Sequence, residues 1–277
     1  KKTRRSFIKS LRRRGARKKG ARVYRTAVAN RQFFANCYIF PKRANRRHVS
    51  LLMRGSGGCY TPRMRERSLT PLDRLLAGAN NALRTVSAPA GRPARDNPAA
   101  GVDEGSLDNR QRAHAAGLMR INHAGEVAAQ GLYQGHAAVA RDTSVEEQMQ
   151  RAANEEFDHL AWCEQRLTEL GASPSLLSPF WYAGAFAIGA TSGALGDRWS
   201  LGFIAETERQ VCEHLESHFE RLPKQDARSR AILQQMYEEE AEHGENAVDA
   251  GAAELPPPVK RLMKLTAKVM TRTAYWL

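Results

Sequence analysis

The feature that most constrains this chain is a duplicated Glu-x-x-His motif. The first copy is formed by Glu156 and His159, and the second by Glu240 and His243. On a helix, residues three apart lie on the same face about one turn apart, so both side chains of each copy can face one site. A single copy would be weak evidence, because helices are rich in glutamate, but two copies point to a duplicated helical unit.

Each motif is preceded by another glutamate at a similar interval. Glu126 lies 30 residues before Glu156, and Glu208 lies 32 residues before Glu240. An interval of that length fits one helix, a short connection and a second helix running back. Two helical hairpins, each with one glutamate and one Glu-x-x-His, form the ligand set of a ferritin-like di-iron carboxylate bundle. We therefore predict an all-α fold with a four-helix bundle made of two duplicated hairpins.

The charges of this ligand set match two divalent cations. Four carboxylates would balance the metal charge, and two neutral imidazoles would complete the coordination. Without metal, four inward-facing glutamates would repel one another in a low dielectric. Oxygen and imidazole ligands without thiolate favour iron or manganese over a structural zinc site. A solvated, charged helix face is the alternative. The predicted metal ligands are Glu126, Glu156, His159, Glu208, Glu240 and His243.

Three further titratable residues lie close to these ligands in the sequence. His123, three residues before Glu126, could be a ligand, or a capping or supporting group beside the ligands. His214 lies within two turns of Glu208 and could support a ligand, relay protons or simply face solvent. Glu155 adjoins a ligand but has Asp158 three positions on, so we expect it to be solvated.

Positive charge is concentrated in residues 1–67, which hold 22 Lys and Arg against one acidic residue, Glu66. The rest of the chain holds 21 Lys and Arg against 28 acidic residues, so the net charge of +14 does not describe the region with the motifs. Blocks of like charge are usually disordered, and we predict a disordered basic extension over residues 1–67. It could be a nucleic-acid-binding arm, a mitochondrial targeting segment or a stretch outside a natural protein that begins at Met64. We favour the last and expect no nucleic-acid partner.

The remaining chain divides into two parts. Residues 68–106 are predicted to hold a short amphipathic helix, with leucines at helical spacing, followed by a linker rich in proline and glycine. The main domain is expected over residues 107–277. The four cysteines show no close pairing, which is typical of a reducing compartment.

Two segments are predicted to associate with a membrane. Residues 170–196 contain no charged residue and are long enough for a span, but a single span would separate the two hairpins that share one site. The segment is therefore either a buried crossover helix or, as we prefer, a helix dipping into one leaflet with Trp181, Tyr182 and Phe186 at the interface. The second segment is the last helix, where basic residues recur every four positions beside apolar and aromatic ones. That pattern suits an anionic membrane surface, although an ordinary packing helix with a solvated basic face fits equally well. The basic residues are Lys260, Lys264, Lys268 and Arg272.

Four runs of the chain together resemble the demethoxyubiquinone hydroxylase family of ubiquinone biosynthesis, in its bacterial form. The resemblance covers about residues 107–277 and implies that the same six residues bind two Fe²⁺ ions. It also implies hydroxylation of the ring of a prenylated demethoxyubiquinone or its quinol, with O₂ as co-substrate and NADH or a reduced quinone as external reductant. The runs are Arg120-Ile121-Asn122-His123-Ala124-Gly125-Glu126, Glu156-Phe157-Asp158-His159-Leu160, Glu206-Thr207-Glu208-Arg209-Gln210 and Glu240-Ala241-Glu242-His243.

The resemblance further implies peripheral attachment to the cytoplasmic side of the cell inner membrane, with other ubiquinone-biosynthesis proteins as candidate partners. Three alternatives share the predicted bundle. They are a soluble di-metal oxidase or peroxidase, an iron-storage or iron-binding protein, and a helical bundle without metal. The apolar segment and the amphipathic last helix favour the membrane-associated hydroxylase, because a soluble cage or peroxidase has no need of them.

Overall fold

Helical periodicity in the sequence corresponds to seven α-helices in the part of the chain that the structure describes. A computed structural model describes residues 71–87, 91 and 93–277. The basic extension predicted over residues 1–67 lies outside them, as does Met64. The predicted division into residues 68–106 and 107–277 stays a prediction. The helices are α1 (Pro71–Val86), α2 (Asn109–Val139), α3 (Thr143–Glu169), α4 (Ser178–Ala194), α5 (Asp197–Arg221), α6 (Ala227–Asp249) and α7 (Pro257–Ala274).

Local capping chemistry explains where the bundle helices begin and end. Asp108 accepts a hydrogen bond from the Gln111 amide at 2.8 Å, and the Gln111 side chain accepts one in return from the Asp108 amide, which together cap α2. The caps at the starts of α3 and α6 are also aspartates, Asp142 and Asp226. Gly171, with φ of 72°, follows the end of α3.

The four bundle helices are α2 and α3 in the first hairpin and α5 and α6 in the second. Their inward faces form two apolar clusters, one toward each end of the bundle. One includes Leu118, Trp162, Leu215 and Ile232. The other includes Tyr133, Met149, Ile204 and Ala247. On every bundle helix the predicted metal ligand lies between a residue of one cluster and a residue of the other, so the ligands occupy a polar layer between two apolar ones.

A buried arginine joins the two hairpins at one end of the bundle. Arg166 of α3 is completely buried and donates to the hydroxyl of Ser229 at 2.9 Å. It also pairs with Asp226, the cap of α6, at 2.9 Å, and with Glu169 at the same distance. Glu104, from the segment before α2, contacts the same guanidinium. Because each lone buried charge would be costly, this network fixes the start of α6 against the end of α3.

Helix α4 packs against α2 through glycines that bring the two backbones together. A Cβ atom at Gly131 or Gly135 of α2 would overlap the main chain of α4 at Tyr182 or Phe186. In the same way, a Cβ atom at Gly189 of α4 would overlap the main chain of α2 at Leu132. These glycines therefore serve close helix approach. At these positions they leave no room for a ligand.

The three aromatic residues Trp181, Tyr182 and Phe186 of α4 differ in burial. Tyr182 is buried, its hydroxyl donates to Gln134 of α2 at 2.6 Å, and Phe186 packs beside it. Trp181 is half-buried against the end of α7. The expectation that Tyr182 lies at a membrane interface is wrong, because the glycine contacts turn its side of α4 toward α2. Trp181 and Phe186 are only partly buried, and their place at an interface stays a prediction. Phe180 and Ile188 are the exposed large side chains of this helix.

The last helix leaves an apolar stripe on the surface. Leu262, Leu265 and Val269 of α7 are each more than half exposed, and Trp276 beyond the helix is more exposed still. The predicted basic residues lie on the same helix, and Lys260 contacts Glu206 of α5 at 3.7 Å. Within residues 71–277, none of the helices has the length and apolar content that crossing a bilayer would require.

Candidate metal centre

Four of the six predicted ligands converge on one buried point. Glu126 of α2, Glu156 and His159 of α3, and Glu240 of α6 each offer a ligand atom, and these atoms all lie within 4.8 Å of one another. His159 Nδ1 lies 3.0 Å from Glu156 Oε2 and 3.3 Å from Glu240 Oε1. All four side chains are at most 5% exposed. Residues from three helices therefore form a compact polar cluster inside an apolar bundle.

The other two predicted ligands complete the cluster on its far side. His243 Nδ1 lies 3.1 Å from Glu156 Oε1 and 3.5 Å from Glu240 Oε2. Glu208 of α5 is buried and lies beside Glu240, with which it interacts electrostatically. The six side chains predicted from the motif spacing are thus brought together from all four bundle helices.

The electrostatics of the cluster favour positive charge. Burial raises the pKa of the Glu126 carboxyl well above its ordinary value, and the neighbouring carboxylates raise it further while His159 opposes them. Burial likewise raises the pKa of Glu208, with help from the charges of Glu240 and Glu156. Burial alone would lower the pKa of His159, but its glutamate partners raise it well above the ordinary value. Two divalent cations would supply the positive charge that these shifts call for.

Unsatisfied buried atoms give an independent test of whether a metal fits. Glu126 Oε2, Glu156 Oε1, Glu240 Oε2 and His243 Nδ1 are all buried and lack a hydrogen-bond partner within the described residues. Buried polar atoms are normally satisfied, so a set of four facing one another needs a common partner. Carboxylate oxygens and imidazole nitrogens are good ligands for iron. The donor set therefore fits a pair of metal ions.

Two glutamates that we did not assign to the site contact its histidines. His159 Nε2 lies 2.6 Å from Glu239 Oε2, and His243 Nε2 lies 2.6 Å from Glu155 Oε2. Glu155 is half exposed, as expected, but its carboxylate also contacts His243. A signal for both was present in the sequence, because each motif reads Glu-Glu-x-x-His and these are the first glutamates of the two copies.

A tyrosine of α2 was also missed. Tyr133 is 1% exposed and donates its hydroxyl hydrogen bond to Glu208 Oε1 at 2.7 Å. It lies seven residues after Glu126, two turns along the same face of the helix. Helical spacing could have indicated its approach to the site, but its partner is on another hairpin.

The two additional histidines lie apart from this network. His123 is buried, which lowers its pKa to about 4, and its Nδ1 has no hydrogen-bond partner in the described part of the chain. The His214 ring lies 4.0 Å from the His218 ring, and burial lowers its pKa to about 4. Neither histidine forms a hydrogen bond with any of the six ligands within residues 71–277. A role beside the ligands stays a prediction for both.

Comparison with known proteins identifies the family. Residues 113–274 match the family described as ubiquinone biosynthesis protein COQ7. The chain is 54% identical over 214 residues to the 3-demethoxyubiquinol 3-hydroxylase of Nitrosococcus oceani, covering 77% of this chain and 100% of that protein. It is 57% identical over 210 residues to the enzyme of the same name from Xanthomonas oryzae pv. oryzae, covering 75% of this chain and 95% of the relative. The chain therefore belongs to the ubiquinone biosynthesis protein COQ7 family.

Proposed function

We propose that this chain is a membrane-associated di-iron monooxygenase that hydroxylates the ring of a prenylated demethoxyubiquinol in ubiquinone biosynthesis. The observation that carries the proposal is the convergence of six buried Glu and His side chains, four of whose atoms lack a hydrogen-bond partner within the described residues. The names of the bacterial relatives, which align over nearly their whole length, supply the reaction and the substrate class.

The assigned ligands are Glu126, Glu156, His159, Glu208, Glu240 and His243. Two iron ions held by them would supply the chemistry that activates O₂. One oxygen atom enters the ring and the other leaves as water, so the reaction needs two electrons and two protons from outside. NADH or a reduced quinone is the proposed reductant.

The protein itself has three tasks in this reaction. The carboxylates and imidazoles would hold the metal ions, and Tyr133 orients Glu208 through its hydroxyl hydrogen bond. The apolar clusters on either side of the polar layer exclude water from it, which strengthens electrostatic interactions inside.

An apolar cleft supports the proposal that the substrate carries a long prenyl chain. The cleft has a volume of about 480 Å³ and lies among α4, α5 and the start of α7, with Ile188, Leu195, Trp199 and Val259 in its walls. Phe203 also lines it and precedes Glu208 by five residues, about 7.5 Å along the helix axis. An apolar prenyl segment would fit between these side chains.

The exposed apolar residues of α4 and α7, with the basic residues of α7, support peripheral attachment to an anionic membrane. The proposed location is the cytoplasmic side of the cell inner membrane, where other ubiquinone-biosynthesis proteins could bind. Sedimentation with vesicles tests the attachment. Binding should require anionic lipid and should weaken when Lys264 and Lys268 are both changed to glutamate. Equal binding to neutral vesicles would contradict it.

The activity is tested with purified protein supplied anaerobically with two equivalents of Fe²⁺ and then with ¹⁸O₂, NADH and a short-chain demethoxyubiquinol. Mass spectrometry should find one ¹⁸O atom in each hydroxylated product. Glu208→Ala should abolish the product while leaving the helical content by circular dichroism largely intact. The matched control is Glu242→Ala, since Glu242 is exposed on α6. Wild-type turnover in Glu208→Ala would refute the assignment.

A further inference from the structure

Each of the two ligand histidines is contacted by a glutamate of the other hairpin. His159 of the first motif meets Glu239, which directly precedes the ligand glutamate of the second motif. His243 of the second motif meets Glu155, which directly precedes the ligand glutamate of the first. Both contacts use Nε2 and both measure 2.6 Å. Each hairpin therefore supplies the carboxylate that supports the other hairpin's histidine.

These two contacts decide which ring nitrogen of each histidine faces the metal layer. A carboxylate that accepts a hydrogen bond from Nε2 keeps the proton there, so the lone pair of Nδ1 is directed into the cluster. His159 Nδ1 and His243 Nδ1 do face the ligand carboxylates, at 3.0 Å and 3.1 Å from oxygens of Glu156. The two outer glutamates thus orient the rings and increase the basicity of the inner nitrogens.

The two supporting glutamates, Glu239 and Glu155, differ in the number of contacts that hold them. Glu239 is 15% exposed and receives hydrogen bonds from Arg95 at 2.6 Å and from Gln235 at 2.5 Å. Arg95 is itself held by Asp158 at 2.6 Å and by the ring of Trp162, 4.9 Å from its guanidinium carbon. The Glu239 carboxylate is therefore held in place from several directions.

Glu155 has much less support. Its side chain is 48% exposed, and within the described residues its carboxylate makes one hydrogen bond, to His243. Arg95 reaches only the main-chain oxygen of Glu155, at 3.5 Å. His243 is 8% exposed, whereas His159 is fully buried. The His159 side of the centre is therefore buried and held by several hydrogen bonds, whereas the His243 side is partly open to solvent.

We propose that Glu239 and Glu155 are positioning residues that make the two metal positions unequal. The position beside His159 fills first and holds its ion tightly, and the position beside His243 fills second and exchanges its ion readily. A pre-organised ligand loses less freedom on binding, so the position beside His159 binds its ion with higher affinity. This inference rests on the proposed metal centre.

The test is an anaerobic titration of the metal-free full-length protein with Co²⁺, followed by its visible absorption and by release to a chelator. Wild-type protein should bind two ions per chain in steps that differ at least about 10-fold in affinity. Glu239→Gln should weaken the tight step by about 10- to 100-fold, the range typical of lost supports of metal-binding histidines. Glu155→Gln should weaken only the loose step. Glu242→Gln, the same change at an exposed position of α6, should alter neither.

Two equal steps in wild-type protein would overturn the inference, as would variants that change both steps together or neither. Circular dichroism identifies any variant that fails to fold. In that case Arg95→Gln provides a milder test, because it keeps Glu239 and removes only the hydrogen bond from Arg95. It should weaken only the tight step. Failure of the proposed metal centre has a different signature, since wild-type protein would then bind no stoichiometric metal.

Discussion

The two hairpins contribute the same ligands but are held by different surroundings. The first, α2 and α3, has α4 packed against it through Gly131, Gly135 and Gly189. The second, α5 and α6, contacts α7 through ion pairs such as that between Glu206 and Lys260. The second hairpin also has one close main-chain contact, since a Cβ atom at Gly202 of α5 would overlap the main chain at Ala253, just before α7. The first hairpin is thus supported along a whole helix at main-chain distance, and the second by ion pairs and a single close approach.

This difference indicates what the duplication encodes. The repeated part of the sequence, Glu-Glu-x-x-His with its upstream glutamate, accounts for the ligands and for the crossed carboxylates behind the histidines. Residues outside the repeat make the halves unequal, among them Arg95, which lies before α2 and supports Glu239, and Tyr133 of α2, which supports Glu208. The symmetry of the site is therefore local, and its surroundings are asymmetric.

The largest expected effect on stability comes from removing the buried arginine that joins the two hairpins. Arg166→Met should lower the free energy of unfolding by about 3–5 kcal/mol, because it leaves the buried Asp226 without its cation. Denaturant unfolding followed by circular dichroism measures the change. Arg228→Met is the matched control, since Arg228 is partly exposed and pairs with Glu169, and it should cost at most about 1 kcal/mol. Equal losses in the two variants would show that the junction does not depend on the buried charge.

The first hairpin is tested alone by adding one methyl group between α2 and α4. Gly135→Ala should lower the free energy of unfolding by about 1–3 kcal/mol, because the added carbon meets the main chain at Phe186, which cannot move aside. Gly184→Ala on α4 has open space and should be neutral or stabilising, since alanine favours helix over glycine. Stabilisation by both substitutions would contradict the close approach of the helices.

The second hairpin is tested through pH. Burial, followed by the charges of His214, Arg221 and His114, lowers the pKa of His218 from 6.5 to about 2. Its contribution to stability is thus complete above pH 6.5 and is lost as the pH falls toward 2. By pH 5 the loss amounts to about 2 kcal/mol. The His218→Leu variant should lose correspondingly less stability between pH 7.5 and pH 5 in denaturant unfolding. An unchanged pH dependence would exclude His218 as its source.

The smallest effect is expected at the contact between α5 and α7. Lys260→Ala removes ion pairs at 3.7 Å and 3.8 Å from a side chain that is one-third exposed, and it should cost at most about 1 kcal/mol. Thermal unfolding measures the loss, with the exposed Lys268→Ala as the control. A larger loss, in the range of Arg166→Met, would mean that the second hairpin depends on α7 more than the geometry indicates.

The bundle and its ligands could be predicted from the sequence because helical spacing dictates which residues share a face. The partners that lie far apart in the chain could not. Arg95 contacts Glu239, 144 residues away, and Arg166 contacts Asp226, 60 residues away, through tertiary packing that no local pattern records. The burial of Tyr182 was mispredicted for a related reason, since small residues recur around much of α4 and aromatic residues alone do not indicate its buried face.

The central claim is that six side chains from four helices hold two iron ions. Iron analysis by mass spectrometry, on protein loaded anaerobically with Fe²⁺ and then desalted, tests it most directly. We expect two iron ions per chain in the wild-type protein and in Glu242→Ala, and a clear loss in both Glu126→Ala and Glu208→Ala. Wild-type protein without stoichiometric iron, or variants that retain both ions, would contradict the account.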